Sequence, residues 1–327
     1  MAKQPRTQIL RGILVVIIFA SLAVAAIFVD FAVLADRFRA TGYEPSAEIS
    51  QLAQNLKLTS KAEIIFAASW PVLEDEAAFN SSCRSTVVEI SVLGCYTNQR
   101  IYIYNVENAE LAGVKESTLA HELLHAAWER LGLTDQERLS PQLDAIYQEN
   151  LDTLESRLDL YPDADFYNEL HSIIGTEYAN LPDQLETHYA QYFQNQDAVV
   201  VYFDAYNSKF QELKSAADAL YAKIEQNQKL IDTKTANYND AIAKLNAAIS
   251  DFNNRANSGS FTSQAAFHAE RAALVARQNQ TEQLYREIDN LITTTNQLID
   301  DYNSNIARSQ TLSDSINSNA QDTEDIN

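Results

Sequence analysis

The sequence predicts an α+β protein that is mostly helical, with a small sheet and a group of helices followed by a long antiparallel helical hairpin. Three observations support this fold class. The 327 residues include only seven glycines, which favours helices over turn-rich β structure. Residues 99–106 alternate apolar and polar side chains, as a half-buried strand does. Beyond residue 208, apolar residues recur at steps of three and four, which is typical of long helices packed on each other.

The N-terminus has the features of a membrane anchor. Three basic residues precede an uncharged run over residues 12–29, which is about long enough to span a bilayer. The sequence therefore predicts a cytoplasmic N-terminus over residues 1–11, a single-pass transmembrane signal anchor over residues 12–35, and an extracytoplasmic location for the rest of the chain. The alternative is a protein secreted after signal cleavage, because residues 23–25 (Ala-Val-Ala) are an acceptable cleavage site.

Length and charge limit the organisation of the remaining chain. It is long enough for a folded domain over residues 40–207 and an accessory region over residues 208–316, with an acidic tail over residues 317–327 that we expect to be disordered. The formal net charge of −21 argues against a nucleic-acid partner, because the phosphate backbone repels an acidic surface.

Local patterns before residue 110 predict one helix and about three strands. Residues 48–58 have helical spacing of apolar side chains. Residues 62–69, 85–94 and 99–106 are short runs with strand-like composition or alternation, and turn signals end the first two. These strands would form the small sheet and lead into the next helix.

Cys83 and Cys95 are the two cysteines of the chain. In an oxidising compartment an isolated pair at this spacing is expected to form one disulfide. The alternatives are two free buried thiols or metal ligands, and the spacing does not fit a zinc-ribbon pattern.

The segment with the strongest chemical signal contains His121, Glu122 and His125. On a helix, residues four apart lie on one face, so the two imidazoles can ligate one Zn²⁺ with the carboxylate of Glu122 beside them. The alternative is an amphipathic helix whose histidines hydrogen-bond in the core, because Leu124 and Trp128 form an apolar stripe next to them.

This H-E-x-x-H pattern resembles that of the zincin metallopeptidases, and the resemblance covers residues 60–205. It implies zinc as cofactor, a peptide or protein substrate, a strand along the substrate cleft before the helix, and Glu122 as the general base that activates the attacking water. Together with the predicted anchor, the pattern is similar to membrane-anchored bacterial enzymes of this type. The alternative function is a catalytically inactive zincin-like surface protein whose hairpin binds a protein partner.

A catalytic zinc site normally has three protein ligands, and the motif supplies two. The metzincin continuation is absent, because Trp128 and Leu131 stand where its glycine and third histidine would be. The Asp-zincin pattern is also absent, because Tyr178 occupies its aspartate position. A glutamate on a later helix, as in gluzincins, is the arrangement that remains.

Two glutamates are candidates for the third ligand. Glu177 is the first choice, because it falls within the apolar face of a predicted helix over residues 166–178, where an unpaired carboxylate would be costly. Glu169 is the alternative, since the Asn-Glu pair that it forms with Asn168 loosely resembles the gluzincin ligand segment. For either residue alone, a solvated helix carboxylate is the competing interpretation.

The following segment adds weaker candidates. Glu186 and His188 lie in the next predicted helix, and His171 or His188 is a possible oxyanion stabiliser if it approaches the metal. A surface histidine is the alternative for both.

The accessory region is predicted to be a hairpin. Apolar seams run from residue 210 to 252 and from residue 267 to 316, and residues 253–264 have turn composition. Two long helices joined by a short loop fold back on each other as an antiparallel pair. The hairpin is the predicted site for a protein partner.

Overall fold

The computed structural model describes residues 31–83, 93–159, 161–162 and 164–318. The predicted cytoplasmic N-terminus and most of the predicted anchor and acidic tail lie outside these residues.

Helices make up most of the described chain, which confirms the predicted mostly helical class. The predicted helix over residues 48–58 is present as α2. The helices are α1 Phe31–Arg39, α2 Ala47–Leu56, α3 Ser60–Ala68, α4 Glu76–Cys83, α5 Val114–Glu129, α6 Leu133–Glu149, α7 Leu151–Leu158, α8 Phe166–Glu177, α9 Asp183–Tyr189, α10 Asp197–Asn257 and α11 Gln264–Ile316. A single 3₁₀ turn, Ala109–Leu111, precedes α5.

In the part of the chain that the structure describes, three short strands form one sheet, as the sequence predicted in outline. They are β1 Val72–Glu74, β2 Gly94–Thr97 and β3 Arg100–Tyr104. Their order is β1-β3-β2, with β1 parallel and β2 antiparallel to β3. Asn98 and Gln99 join β2 to β3 with φ values of 51° and 61°, which is the left-handed backbone that a two-residue hairpin turn requires.

The strand predicted over residues 62–69 is wrong, because this segment belongs to α3. The side chain of Thr59 accepts a hydrogen bond from the backbone N–H of Ala62 and caps the helix. Ala62, Ile65 and Phe66 are buried, a spacing that matches a helix face. A short apolar run does not distinguish a strand from a buried helix.

The other two predicted strands have different outcomes. The run over residues 99–106 is confirmed as β3. Most of the run over residues 85–94 lies outside the described residues, and its last residue, Gly94, begins β2.

The chain divides into two compact units. Of the described residues, those up to 207 and from 314 to 318 belong to one unit, and residues 208–313 form the other. In the first unit α5 is the central element: Leu119, Leu123 and Leu124 are fully buried, and the helix packs against β2, β3, α2, α3 and α8.

The helices that the structure describes do not support the predicted single-pass membrane anchor. None of those between residue 31 and residue 318 is both long and apolar enough to cross a bilayer. The described end of the predicted anchor belongs to α1, in which Asp36 is buried. Arg130 donates from Nε and Nη2 to the two carboxylate oxygens of Asp36, at 2.7 and 2.9 Å, a bidentate pair that fixes α1 to the end of α5.

The second unit is an antiparallel helical hairpin formed by the larger parts of α10 and α11. Gly259 has a φ of 66° in the connecting loop. Phe252, Phe261 and Phe267 pack together beside it, with ring centroids 5.0 to 5.2 Å apart. This aromatic cluster closes the turn.

Cys83 and Cys95 form the disulfide that the sequence predicted as its first choice. Their Cα atoms are 5.9 Å apart, and both side chains are buried against Phe79. The bond ties the end of α4 to the edge strand β2.

We expect the double substitution Cys83→Ala/Cys95→Ala to lower the free energy of unfolding by about 3 kcal/mol, because it releases a short closed loop in the unfolded chain. Urea unfolding followed by circular dichroism measures the change. Reducing agent should destabilise the wild type by a similar amount and leave the double variant unchanged. Equal stability of the two proteins without reductant would contradict the prediction.

Candidate metal centre

The two motif histidines converge on one point. They lie one turn apart on α5, and the Nε2 atoms of His121 and His125 are 3.1 Å from each other. Their side chains are 21% and 15% exposed. Two imidazole nitrogens this close need a shared proton or a cation between them.

A carboxylate from α8 completes the group. Glu169 places Oε1 3.3 Å from Nε2 of His121 and Oε2 3.3 Å from Nε2 of His125. Its side chain is only 4% exposed. The three donor atoms lie within 4.8 Å of one another, and they come from two helices that are far apart in sequence.

The donor set fits a zinc ion. Two histidines and one glutamate are a set that catalytic zinc sites use. In a tetrahedral site with bonds of about 2.0–2.1 Å, neighbouring ligand atoms are about 3.3 Å apart. The 3.1 Å between the two Nε2 atoms agrees with this spacing, and each Nε2 has a different oxygen of Glu169 at 3.3 Å.

Asn168 fixes the orientation of the second histidine. Its Oδ1 lies 3.0 Å from Nδ1 of His125. With Nδ1–H as the donor in this bond, Nε2 keeps its lone pair for a metal. The residue directly before Glu169 thus favours the tautomer that a metal at Nε2 of His125 would need.

The electrostatics of the pocket favour positive charge where the three side chains meet. Burial lowers the pKa of His121, but the carboxylate of Glu169 outweighs burial and raises that pKa to about 9. Burial also opposes a charged His125, and the hydrogen bond and charge of Glu169 raise its pKa. Burial favours a neutral Glu169, yet the two imidazoles hold its pKa well below the usual range.

Glu122 lies on the sheet side of the pocket. Its charge acts on both His121 and His125, and its side chain is largely buried at 5% exposed. A Cβ added to Gly94 would lie 2.7 Å from Oε1 of Glu122 and 2.6 Å from Cγ2 of Thr118. Strand β2 therefore approaches the carboxylate closely because residue 94 has no side chain.

A second glycine allows α8 to approach α5. A Cβ added to Gly175 would lie 2.4 Å from Cδ1 of Leu124 and 2.5 Å from Cε1 of Tyr189. This close packing brings the first turns of α8, with Glu169, against the histidines of α5.

The structure does not bring Glu177, the first-choice third ligand, to the histidines. Arg157 of α7 donates to its two oxygens at 2.7 and 2.8 Å. The argument that this carboxylate needs a positive partner holds, but the partner is a guanidinium from another helix. Glu169, the alternative, is the carboxylate that lies beside the two histidines.

The predicted oxyanion stabilisers pair with each other. Nε2 of His171 and Nε2 of His188 are 2.8 Å apart, and both side chains are buried. Burial lowers the pKa of His171 and lowers that of His188 to about 4, so both are neutral near pH 7. Glu186 is exposed on α9 and joins neither group.

Three residues that shape the pocket were missed at the sequence level: Asn168, Gly94 and Gly175. Asn168 had a signal, because it directly precedes Glu169 in the segment with the gluzincin-like pattern. The two glycines are scarce residues in a helical chain, but their role depends on contacts between elements that the sequence does not show.

Comparison with models of known protein families, with curated proteins and with solved structures finds no match to this chain.

We expect Gly175→Ala to lower the free energy of unfolding by about 1–3 kcal/mol, because the new methyl group would push α8 and α9 away from α5. The matched control is Gly132→Ala, where nothing lies within 4 Å of the added Cβ and φ is −67°. The control should lose less than about 1 kcal/mol, because Gly132 is the N-cap of α6 and the poorer alanine cap is partly offset by a less flexible unfolded chain. Urea unfolding tests both, and an unchanged Gly175→Ala variant would show that the helices do not need this close approach.

Proposed function

We propose that this protein is a zinc-dependent metallopeptidase of the zincin type, with a gluzincin-like ligand set of His121, His125 and Glu169. The observation that carries the proposal is the convergence of these three donors within 4.8 Å, with Glu122 directly after the first histidine in an H-E-x-x-H sequence. A histidine pair with a purely structural role does not need a buried, negatively charged carboxylate beside both rings.

Zinc, when bound, supplies a Lewis acid that polarises a carbonyl and makes water more acidic. The chain supplies the remaining functions. The lone pairs of the two Nε2 atoms and one oxygen of Glu169 would hold the ion. Asn168 keeps the ring of His125 oriented, and Glu169 neutralises part of the positive charge.

Glu122 is assigned as general base. It takes a proton from the attacking water and delivers it to the leaving amine. Its position between the histidines and Gly94 holds the carboxylate beside the pocket without making it a ligand. Gly94 of β2 lies against this carboxylate on the sheet side.

A peptide substrate is consistent with the neighbouring sheet. Strand β2 packs against α5, and among the described strands it pairs only with β3. An extended peptide can add to such an edge by backbone hydrogen bonds. This would place a scissile bond along the side of the pocket where Glu122 lies.

The ligand assignment predicts different effects for the two glutamates. Glu169→Ala should weaken zinc affinity by more than about 100-fold, the upper end for loss of an outer partner, because it removes a direct ligand. Glu177→Ala should leave the affinity within a few-fold, since it breaks the pair with Arg157 and otherwise removes a charge that acts only weakly on His121. Competition with a chromogenic chelator measures both, and circular dichroism confirms that both variants fold. Strong loss in Glu177→Ala alone would reverse the assignment.

The catalytic assignment predicts that Glu122→Gln keeps zinc and loses hydrolysis. The loss should be about 10²–10⁴-fold, because the change removes a general base and keeps a side chain of the same size. A library of internally quenched peptides supplies the substrate for wild type and variant at equal zinc content. Wild-type protein loaded with one zinc ion that cleaves no peptide, or a Glu122→Gln variant that cleaves as fast as wild type, would contradict the proposal.

A further inference from the structure

The hairpin has a buried seam between its helices. On α11, Thr281, Ile288 and Thr295 recur every seven residues and are buried. The rings of Tyr238 and Tyr285 are 6.0 Å apart across the pair. A second cross-helix ring contact joins Tyr221 and Tyr302 at 6.4 Å.

A second row of large apolar side chains flanks this seam, and its two tyrosines, Tyr221 and Tyr285, also touch the opposite helix. On α11, each residue of this row lies four positions after a seam residue, so the row also repeats every seven residues. We call this row, together with Tyr221 of α10, the apolar stripe. Its members are Tyr221, Tyr285, Ile292, Ile299 and Ile306, which are 54%, 55%, 41%, 38% and 43% exposed.

The apolar stripe occupies one side of the hairpin. Tyr221 follows the buried seam residue Ala217 by four, so it holds the same place on α10 that the others hold on α11. Reversing one helix of a pair brings equivalent flanking positions to the same side of the seam. On the opposite side, the positions directly before the seam of α11 are polar: Gln280, Glu287, Thr294 and Asp301.

Acidic residues border the apolar stripe on both helices. They directly follow buried or partly buried residues of the seam, namely Ala217, Ile224, Ile231, Thr281 and Ile288. One basic residue, Lys214, also follows a buried seam residue, Leu213. We call the acidic residues the acidic rim: Asp218, Glu225, Asp232, Glu282 and Asp289. The ring contacts of Tyr221 and Tyr238 place the α10 members alongside Ile292 and Ile299.

Part of the acidic rim has no cationic partner within the described chain. Asp218 pairs with Lys214 on the same helix, and Glu282 pairs with Arg286. Glu225 contacts Tyr221, and Asp232 contacts Gln228. For Glu225, Asp232 and Asp289 no ion pair occurs among residues 31–318 where the structure describes them.

We propose that the apolar stripe and acidic rim bind a basic amphipathic helix of a partner protein. Such a helix would place an apolar heptad face on the stripe and Lys or Arg on both flanks. On α11 the stripe runs from Tyr285 to Ile306, about 32 Å of helix, and it exposes on the order of 500 Å² of side-chain surface, the size of a functional patch. A second copy of this hairpin fits less well, because its own acidic rim would meet like charge.

This proposal is independent of the metal site, because no ligand or catalytic residue belongs to the hairpin. The probe is a fluorescein-labelled 25-residue peptide with leucine at heptad a and d positions, lysine at the flanking positions and alanine and glutamine elsewhere. Fluorescence anisotropy with the full-length chain measures its binding. A peptide with glutamate in place of each lysine should bind at least about 10-fold more weakly.

Two double variants that leave the net charge unchanged test the apolar stripe. Ile292→Gln/Ile299→Gln should weaken the lysine peptide at least about 10-fold, because it removes the centre of the contact. Thr293→Gln/Ala307→Gln, which changes exposed positions elsewhere on the same helix, should leave binding within about 2-fold. Equal effects of the two pairs would overturn the proposal.

Two charge-matched triple variants test the acidic rim. Glu225→Gln/Asp232→Asn/Asp289→Asn should weaken the peptide severalfold at low salt, with the difference shrinking at high salt. Asp240→Asn/Asp300→Asn/Asp301→Asn removes the same charge from other positions of the hairpin and should have a smaller effect. Equal loss in both triples would show attraction by net charge alone and overturn the proposal. The proposal would also be overturned if the wild type binds no peptide and instead forms a homodimer that Ile292→Gln/Ile299→Gln dissociates.

Discussion

The close contact between α5 and α8 is the constraint on which the candidate site depends. It buries the carboxylate of Glu169 between two imidazoles, and a buried carboxylate is costly unless positive charge meets it. Gly175 permits the contact because any side chain there would collide with Leu124 and Tyr189. Bringing three ligand-type side chains to one point therefore lowers the stability of the fold, and the proposed zinc ion accounts for that arrangement.

Part of this site could be predicted from the sequence because it is local. The four-residue spacing of His121 and His125 puts both rings on one face of any helix, whatever the surroundings. The period-two pattern that became β3 and the heptad seams that became the hairpin are local in the same way. Each of these patterns is set by the geometry of one element and needs no knowledge of its neighbours.

The rest depended on contacts between elements. The sequence favours Glu177 as the third ligand because this residue lies within an apolar helix face. The pattern of one helix does not show that Arg157 of α7 forms a salt bridge with it. The segment over residues 62–69 was assigned to a strand because a short apolar run fits either a strand or a buried helix, and the cap at Thr59 decides in favour of α3. A sequence pattern shows which side chains share one face of a helix or strand. Tertiary packing decides which other helix or strand contacts that face.

X-ray absorption spectroscopy at the zinc edge, on the full-length protein loaded with one equivalent of zinc, tests the central claim most directly. The proposed centre predicts two imidazole nitrogens at about 2.0–2.1 Å with oxygen in the remaining positions, and one imidazole fewer in His125→Ala. A spectrum without imidazole scattering, or one that His125→Ala leaves unchanged, would contradict a zinc site at His121, His125 and Glu169.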